Sequence, residues 1–115
     1  MSIIDNAVQH YRELAGQRKC IEVPEWGQDG RPALIFAKPF VLAEEQAIER
    51  RCKDDAHERA VEILIMKCTN EQGEKIFTRE HKMKLMKEVS SSVVCRIAKE
   101  IMGDSGQIIE DMEGN

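Results

Sequence analysis

The chain has 115 residues, 42% hydrophobic and 33% charged, and this balance predicts one globular domain and excludes a disordered chain. The net charge of −4 and an aromatic content of only 4% argue against nucleic acid as a partner, because phosphate neutralisation and base stacking need basic and aromatic side chains. The N-terminus has no basic lead before an apolar run, and no stretch has membrane length, so we expect a cytoplasmic protein without membrane contact.

The four cysteines are scattered and form no C-x-x-C pair, the spacing typical of metal chelation and redox exchange. Without an export signal, such cysteines are expected to be reduced, small, partly buried apolar residues. They are Cys20, Cys52, Cys68 and Cys95. The sequence therefore predicts no metal site and no cofactor.

The first predicted element is an amphipathic helix over residues 3 to 15. Its apolar residues recur at helical spacing, and Gly16 follows where a left-handed residue would end the last turn. Those residues are Ile4, Ala7, Val8, Tyr11, Leu14 and Ala15.

Two β-prone runs follow, at 20–27 and 33–40, and the polar turn between them contains Asp29-Gly30. This pattern predicts a β-hairpin. Pro24 cannot donate to a ladder, which places its strand at an edge. Because two strands alone are marginally stable, the hairpin needs a helical surface, and the central helix is one candidate.

Residues 59–68 are the most apolar run of the chain and predict a central helix. One face carries Val61, Leu64 and Cys68, whereas Ile63 and Met66 point nearly the opposite way. A helix that is apolar on two sides is either central to the fold or lends one face to a partner. Residues 42–52 also favour a helix, and 53–55 are either a break or a polar turn within one helix spanning 42–69.

The remaining pattern predicts a polar turn at 70–74, a helix from the N-cap Thr78 to about Val89, and a last helix over 93–102 that Gly103 ends. The predicted fold is thus mainly α, with four to five helices and a small N-terminal β-hairpin, in an α+β single domain over residues 1–103. Residues 104–115 are acidic and predict a flexible tail.

Ligand-like residues stand at short spacing only around Asp54, His57 and Glu58, which share one side of a helix. A small metal-dependent hydrolase could be built there, but the second histidine of a zinc-protease helix is missing. A solvated charged surface is the better interpretation. No phosphate loop or nucleophile elbow occurs elsewhere, so we expect no catalytic residues and no enzyme activity.

Several motifs together resemble one known family. The block V-P-E-W-G at 23–27 precedes the strand at 34–38 and the segment P-F-V-L-A-E-E at 39–45, and the second half carries N-E-Q-G-E-K-I-F-T at 70–78 and S-S-S-V-V at 90–94. In these motifs the chain resembles the tail assembly chaperones of long-tailed, non-contractile phages, over roughly residues 5 to 103.

The resemblance implies a helical chaperone of virion morphogenesis, from a phage or prophage, that acts in the host cytoplasm and is absent from the mature virion. Its partners would be the tape measure protein, which it binds and solubilises, and the tail tube protein, recruited through a longer frameshifted form. Self-association is left open. The first alternative is a structural component of the virion tail.

The residues predicted to contact a partner are apolar positions that do not obviously fit one core. Unbranched methionine side chains repack against varied surfaces, which suits an adaptable contact. The candidates are Ile63, Met66, Met83 and Met86.

Overall fold

The structure, a computed structural model, describes residues 2–103, which form five α-helices and one β-hairpin. The predicted fold class, mainly α with a small N-terminal hairpin, is confirmed, whereas the predicted tail at 104–115 lies outside the described residues. In chain order the elements are α1 (Ile3–Gly16), β1 (Lys19–Gln28), β2 (Arg31–Ala37), α2 (Leu42–Cys52), α3 (Ala56–Lys67), α4 (Lys82–Lys87) and α5 (Ser91–Met102), with a 3₁₀ turn at Arg79–His81 before α4.

The hairpin forms at the predicted turn. Strands β1 and β2 are antiparallel, with Ile21 opposite Ile35, and Asp29 and Gly30 both have positive φ, as a two-residue type I′ loop requires. The register shifts between Val23 and Gln28. The inner side chains of the hairpin enter the core, and β1 lies against α5 and not primarily against the central helix.

Helix α3 is central, as predicted from its two apolar sides. Residues 60–65 are all buried, and the helix packs against α2, α4 and α5. The open question of residues 42–69 has a clear answer, since α2 and α3 are separate helices. Lys53 adopts a left-handed conformation after α2, and Asp55 caps α3 by accepting the Glu58 backbone N–H at 2.9 Å.

Helix α2 begins at Leu42 without a side-chain cap, because Val41 has no acceptor atom. Glu44 partly compensates, since its Oε1 accepts the Val41 backbone N–H at 3.1 Å. Half of a capping box is therefore present. The first helix, α1, differs from the others in that none of its residues is buried. No helix within residues 2–103 is long and apolar enough to cross a bilayer.

Candidate functional site

The four predicted contact residues do not share one surface. Ile63 is only 2% exposed and belongs to the core, so its prediction as an exposed contact is corrected: the second side of α3 is covered by the protein itself. Met66 is half-buried against that core. Met83 and Met86 lie on α4 and are 57% and 40% exposed, which leaves them available to a partner.

A charged cluster fixes the segment that carries the two exposed methionines. The carboxylate of Glu62, on α3, is buried and accepts two hydrogen bonds from Arg79, at 2.5 and 2.9 Å. The Lys82 ammonium lies 2.9 Å from Glu62 and 2.5 Å from Glu58. A helix of only six residues is not stable by itself, so these ion pairs and the buried Leu85 hold α4 against α3.

Burial raises the pKa of Glu62, but the hydrogen bonds from Arg79 and Lys82 outweigh it, so the pKa of Glu62 is lowered from its ordinary value of 4.5. The pKa of Lys82 is raised by its hydrogen bonds to Glu58 and Glu62. The pKa of Arg79 is also raised by its hydrogen bond to Glu62, so Glu62, Arg79 and Lys82 are all charged at neutral pH. These ion pairs connect α3 to the segment 79–82, and Glu62 carries no proton near pH 7.

Next to the exposed methionines lies a small apolar cleft of about 140 Å³. Met86 and Leu85 line it from α4, and Val61 and Val94 line it from α3 and α5. We call Met83, Met86 and this cleft the α4 surface.

A larger depression opens on the other side of α3, and we call it the α2 groove. Its volume is about 420 Å³, and its apolar wall is formed by Phe40, Leu42, Ile48, Ile63 and Met102. Leu42 is 79% exposed at the rim. A concave apolar site with a polar rim is the usual form of a binding groove for small molecules or helices.

Polar contacts hold one wall of the α2 groove in place. The buried Lys67 ammonium pairs with Glu44 at 2.9 Å, donates to the Pro39 carbonyl at 3.3 Å and lies 5.0 Å from the centre of the Phe40 ring. At the rim, Arg59 pairs with Glu49 at 3.1 Å. The Phe40 side of the groove is thus preformed.

Helix α1 presents an apolar stripe that no other described element buries. Ile4 and Val8 are 68% and 43% exposed, and Leu14 is also exposed. Among the described residues, one hydrogen bond ties this helix to the rest of the protein, from the Tyr11 hydroxyl to the Pro39 carbonyl at 2.7 Å. Burial and the nearby Glu44 carboxylate raise the pKa of Tyr11, so this hydroxyl stays protonated and donates at neutral pH.

The residues of the metal-hydrolase alternative are exposed to solvent or paired with a lysine. His57 and Asp54 are exposed, and Glu58 is held by Lys82. Within residues 2–103, no three His, Cys, Asp or Glu side chains are placed so that they could hold a metal ion. The described residues therefore give this alternative no ligand set.

Comparisons with protein-family models, with curated proteins and with solved structures find no match to this chain.

Sequence reasoning missed both the α2 groove and the exposure of α1. The groove joins residues from three distant parts of the chain, namely Phe40 and Leu42, Ile63, and Met102. The stripe of α1 was visible as helical periodicity, but periodicity does not tell whether a stripe packs against the same chain. Leu42, an apolar residue at the start of α2 ahead of the acidic residues 44 and 45, was a local signal for the groove.

Proposed function

We propose that this protein is a phage tail assembly chaperone that binds and solubilises the tape measure protein. In this proposal it acts in the host cytoplasm, helps to recruit tail tube subunits through a longer frameshifted form, and leaves before the virion is complete. It has no catalytic role. The motifs at 23–27, 34–45, 70–78 and 90–94 support the family, and the exposed apolar surfaces support the mode of action.

The observation that carries the proposal is the unburied apolar stripe of α1. A 14-residue helix with no buried residue has little packing to stabilise it, and its exposed apolar side chains are a liability for a chain that acts alone. A long helical client that exposes apolar stripes would cover such a surface, in the way that amphipathic helices associate elsewhere. The α4 surface, with its adaptable methionines, offers a second contact of the same chemistry.

Binding of this kind suits a temporary coat. The exposed residues of α1 and α4 lie on separate helices, and the cleft beside Met86 is small, with a volume of about 140 Å³. Small, separate contacts give modest affinity for each subunit, whereas many subunits along one client give a strong combined effect. The polymerising tube could then displace the subunits one at a time.

The test is co-expression with the tape measure protein of the same genome, with the soluble fraction of the client as the measurement. Val8→Asp and Gln9→Asp form a matched pair, because both add one negative charge at neighbouring exposed positions of α1 but only Val8 lies on the apolar stripe. We expect the wild type and Gln9→Asp to keep the client soluble and Val8→Asp to lose much of this effect.

Failure of the wild-type chain to solubilise the client would refute the proposal. Equal activity of Val8→Asp and Gln9→Asp would remove α1 from the binding surface. Detection of the chain in purified virions would instead favour the structural tail component. Circular dichroism of both variants controls for loss of the fold.

A further inference from the structure

The described chain ends inside an apolar depression. Met102 lines the α2 groove and also a neighbouring cavity of about 300 Å³, which it shares with Leu14, Pro39 and Phe40. Gly103, the next residue, lines that second cavity and has a φ of +55°, which turns the chain at the end of α5. The residues that follow therefore start at the edge of the groove.

The sequence of these residues, which we call the C-terminal segment (104–115), combines two properties. Its apolar residues Ile108, Ile109 and Met112 have the i, i+1, i+4 spacing that places side chains on one face of a helical turn. The segment also carries only negative charges. All 17 basic residues of the chain precede position 104, as do 17 of the 21 acidic ones. The whole net charge of −4 thus belongs to the C-terminal segment.

The rim of the groove offers charges of the opposite sign. Arg50 lines the groove and Arg51 follows it in the last turn of α2, and both are exposed. Neither makes an ion pair with another residue in the range 2–103. The other rim charges are Glu45, Glu49 and Arg59, of which the last two pair with each other. The two arginines are therefore complementary in charge to the acids at positions 110, 111 and 113 of the sequence.

The length of the C-terminal segment and the volume of the α2 groove also allow the segment to reach and enter the groove. Ile108 lies five residues beyond Gly103, and an extended chain of that length covers about 17 Å. The groove volume of about 420 Å³ compares with about 150 Å³ for a cavity that accommodates one benzene ring, so two or three side chains can enter it.

We propose that the C-terminal segment docks into the α2 groove of its own chain, with Ile108, Ile109 and Met112 against Phe40, Leu42 and Met102. A segment tethered at Gly103 meets the groove at an effective concentration of about millimolar, far above that of a second copy at micromolar concentration. This favours the chain's own segment as the occupant. The acids then pair with Arg50 and Arg51, which fixes the direction of the segment.

Docking has a regulatory consequence that rests on the proposed function. A client that uses the α2 groove in addition to α1 and the α4 surface must first displace the C-terminal segment, so the segment lowers the affinity of the free chaperone for that additional contact. A protein whose chain continues beyond residue 115 would carry its extension from this same place.

The experiment uses the full chain and two triple variants. Ile108→Asp, Ile109→Asp and Met112→Asp together remove the apolar contact, whereas Ser105→Asp, Gln107→Asp and Asn115→Asp add the same three charges at polar positions of the segment. The measurements are methyl NMR shifts of Ile48, Ile63 and Met102, and the fluorescence of bis-ANS, a dye that binds exposed apolar grooves.

We expect the apolar triple variant to shift the three groove methyl signals and to raise the dye fluorescence severalfold, while the polar triple variant matches the wild type. An unchanged groove in the apolar triple variant would overturn the proposal. So would wild-type groove shifts that depend on protein concentration, because these would identify a second copy as the occupant. Shifts at Met83 and Met86 instead of Met102 would place the segment on the α4 surface and would also refute it.

The client assay separates the two proposals. Loss of client solubilisation by the wild-type chain would refute the chaperone function and leave the docking result standing. Normal solubilisation with an unoccupied groove would refute docking alone.

Discussion

Two ion pairs in this protein have nearly the same geometry and different surroundings, so they allow a direct test of how burial sets the strength of an interaction. Arg79 makes a bidentate ion pair with Glu62, whose side chain is 3% exposed. Arg96 makes the same contact with Glu25, at 2.8 and 2.9 Å, but there both side chains are more than 40% exposed. The perturbations are Arg79→Ala and Arg96→Ala.

The magnitude for Arg79→Ala follows from what the substitution leaves behind. Breaking a buried ion pair costs about 3–5 kcal/mol when the remaining charge has no other partner. Here Lys82 still pairs with Glu62, and half of Arg79 is already in solvent, so we expect a loss of about 2–3 kcal/mol. At roughly 4 °C per kcal/mol for a chain of this size, the melting temperature falls by about 8–12 °C. Arg96→Ala should cause a clearly smaller decrease, because solvent screens that pair.

The assay is thermal unfolding followed by circular dichroism at several pH values and salt concentrations. The Glu62 pKa is depressed in the folded state, so its stabilisation is fully present above pH 4.5 and is lost as the pH falls through the lower folded value. The difference between wild type and Arg79→Ala should therefore shrink below about pH 4.5. The effect of Arg96→Ala should disappear in high salt, whereas that of Arg79→Ala should largely persist.

Equal losses for the two variants would refute the reasoning, since burial would then not distinguish the pairs. An Arg79→Ala difference that stays constant down to pH 2 would show that the guanidinium acts through packing and not through the Glu62 charge. Arg79→Lys is a further control, because it keeps the positive charge but removes the two-pronged geometry, and we expect it to lie between wild type and Arg79→Ala.

Further substitutions test the end of strand β1, the start of α2 and the α4 surface. A Cβ on Gly27 would lie 1.8 Å from the Arg31 carbonyl oxygen, so Gly27→Ala should lower the free energy of unfolding by about 1–3 kcal/mol in urea titration. Gly16 has open space around it, so Gly16→Ala should leave the free energy of unfolding unchanged or raise it by up to about 1 kcal/mol. Val41→Thr supplies the missing cap acceptor of α2 and should stabilise the protein by about 1 kcal/mol in the same titration. Met86→Asp should leave the melting temperature within a few degrees of wild type and reduce client solubilisation; a collapse of the fold would show that Met86 is a core residue, and intact solubilisation would remove it from the contact surface.

The burial of two thiols gives another measurable difference. Burial raises the pKa of Cys68 to about 12, and burial with the carboxylates of Glu62 and Glu58 raises that of Cys52 to about 11. Both thiols therefore remain protonated, and mass spectrometry after brief alkylation at pH 8 should find Cys20, which is exposed, modified first. Early modification of Cys68 would show that the core opens locally.

Local patterns were enough to predict most elements of this fold. The Asp29-Gly30 turn and the periodicity of α1 depend on neighbouring residues, and both appear where the sequence placed them. The sequence did not decide whether α2 and α3 are separate, because a polar run is compatible with a turn or a helix. Lys53 has a positive φ at the break, but the glycine that usually marks such a position in a sequence is absent there.

The surfaces were harder to predict, because they depend on contacts between distant residues. Ile63 was expected to be available to a partner, but its side chain is only 2% exposed and belongs to the core. Glu62 and Arg79 are 17 positions apart, and nothing in either local pattern indicates that they meet. A single sequence reports which faces are apolar, whereas tertiary packing decides which of them stay exposed.

The hairpin shows how such a protein can expose apolar side chains without polymerising through its own backbone. The outer edge of β2 is partly occupied by the bridge from Phe36 to Thr69, and β1 carries Pro24 together with exposed charged residues at Lys19 and Glu22. Proline and charge at a strand edge discourage the addition of further strands. Most of the exposed large apolar side chains among the described residues therefore lie on helices, where contacts between side chains can be released, and Leu34 on β2 is the exception among the strand residues. Continuous backbone pairing along a strand, which would lead towards irreversible fibrils, is discouraged at these edges.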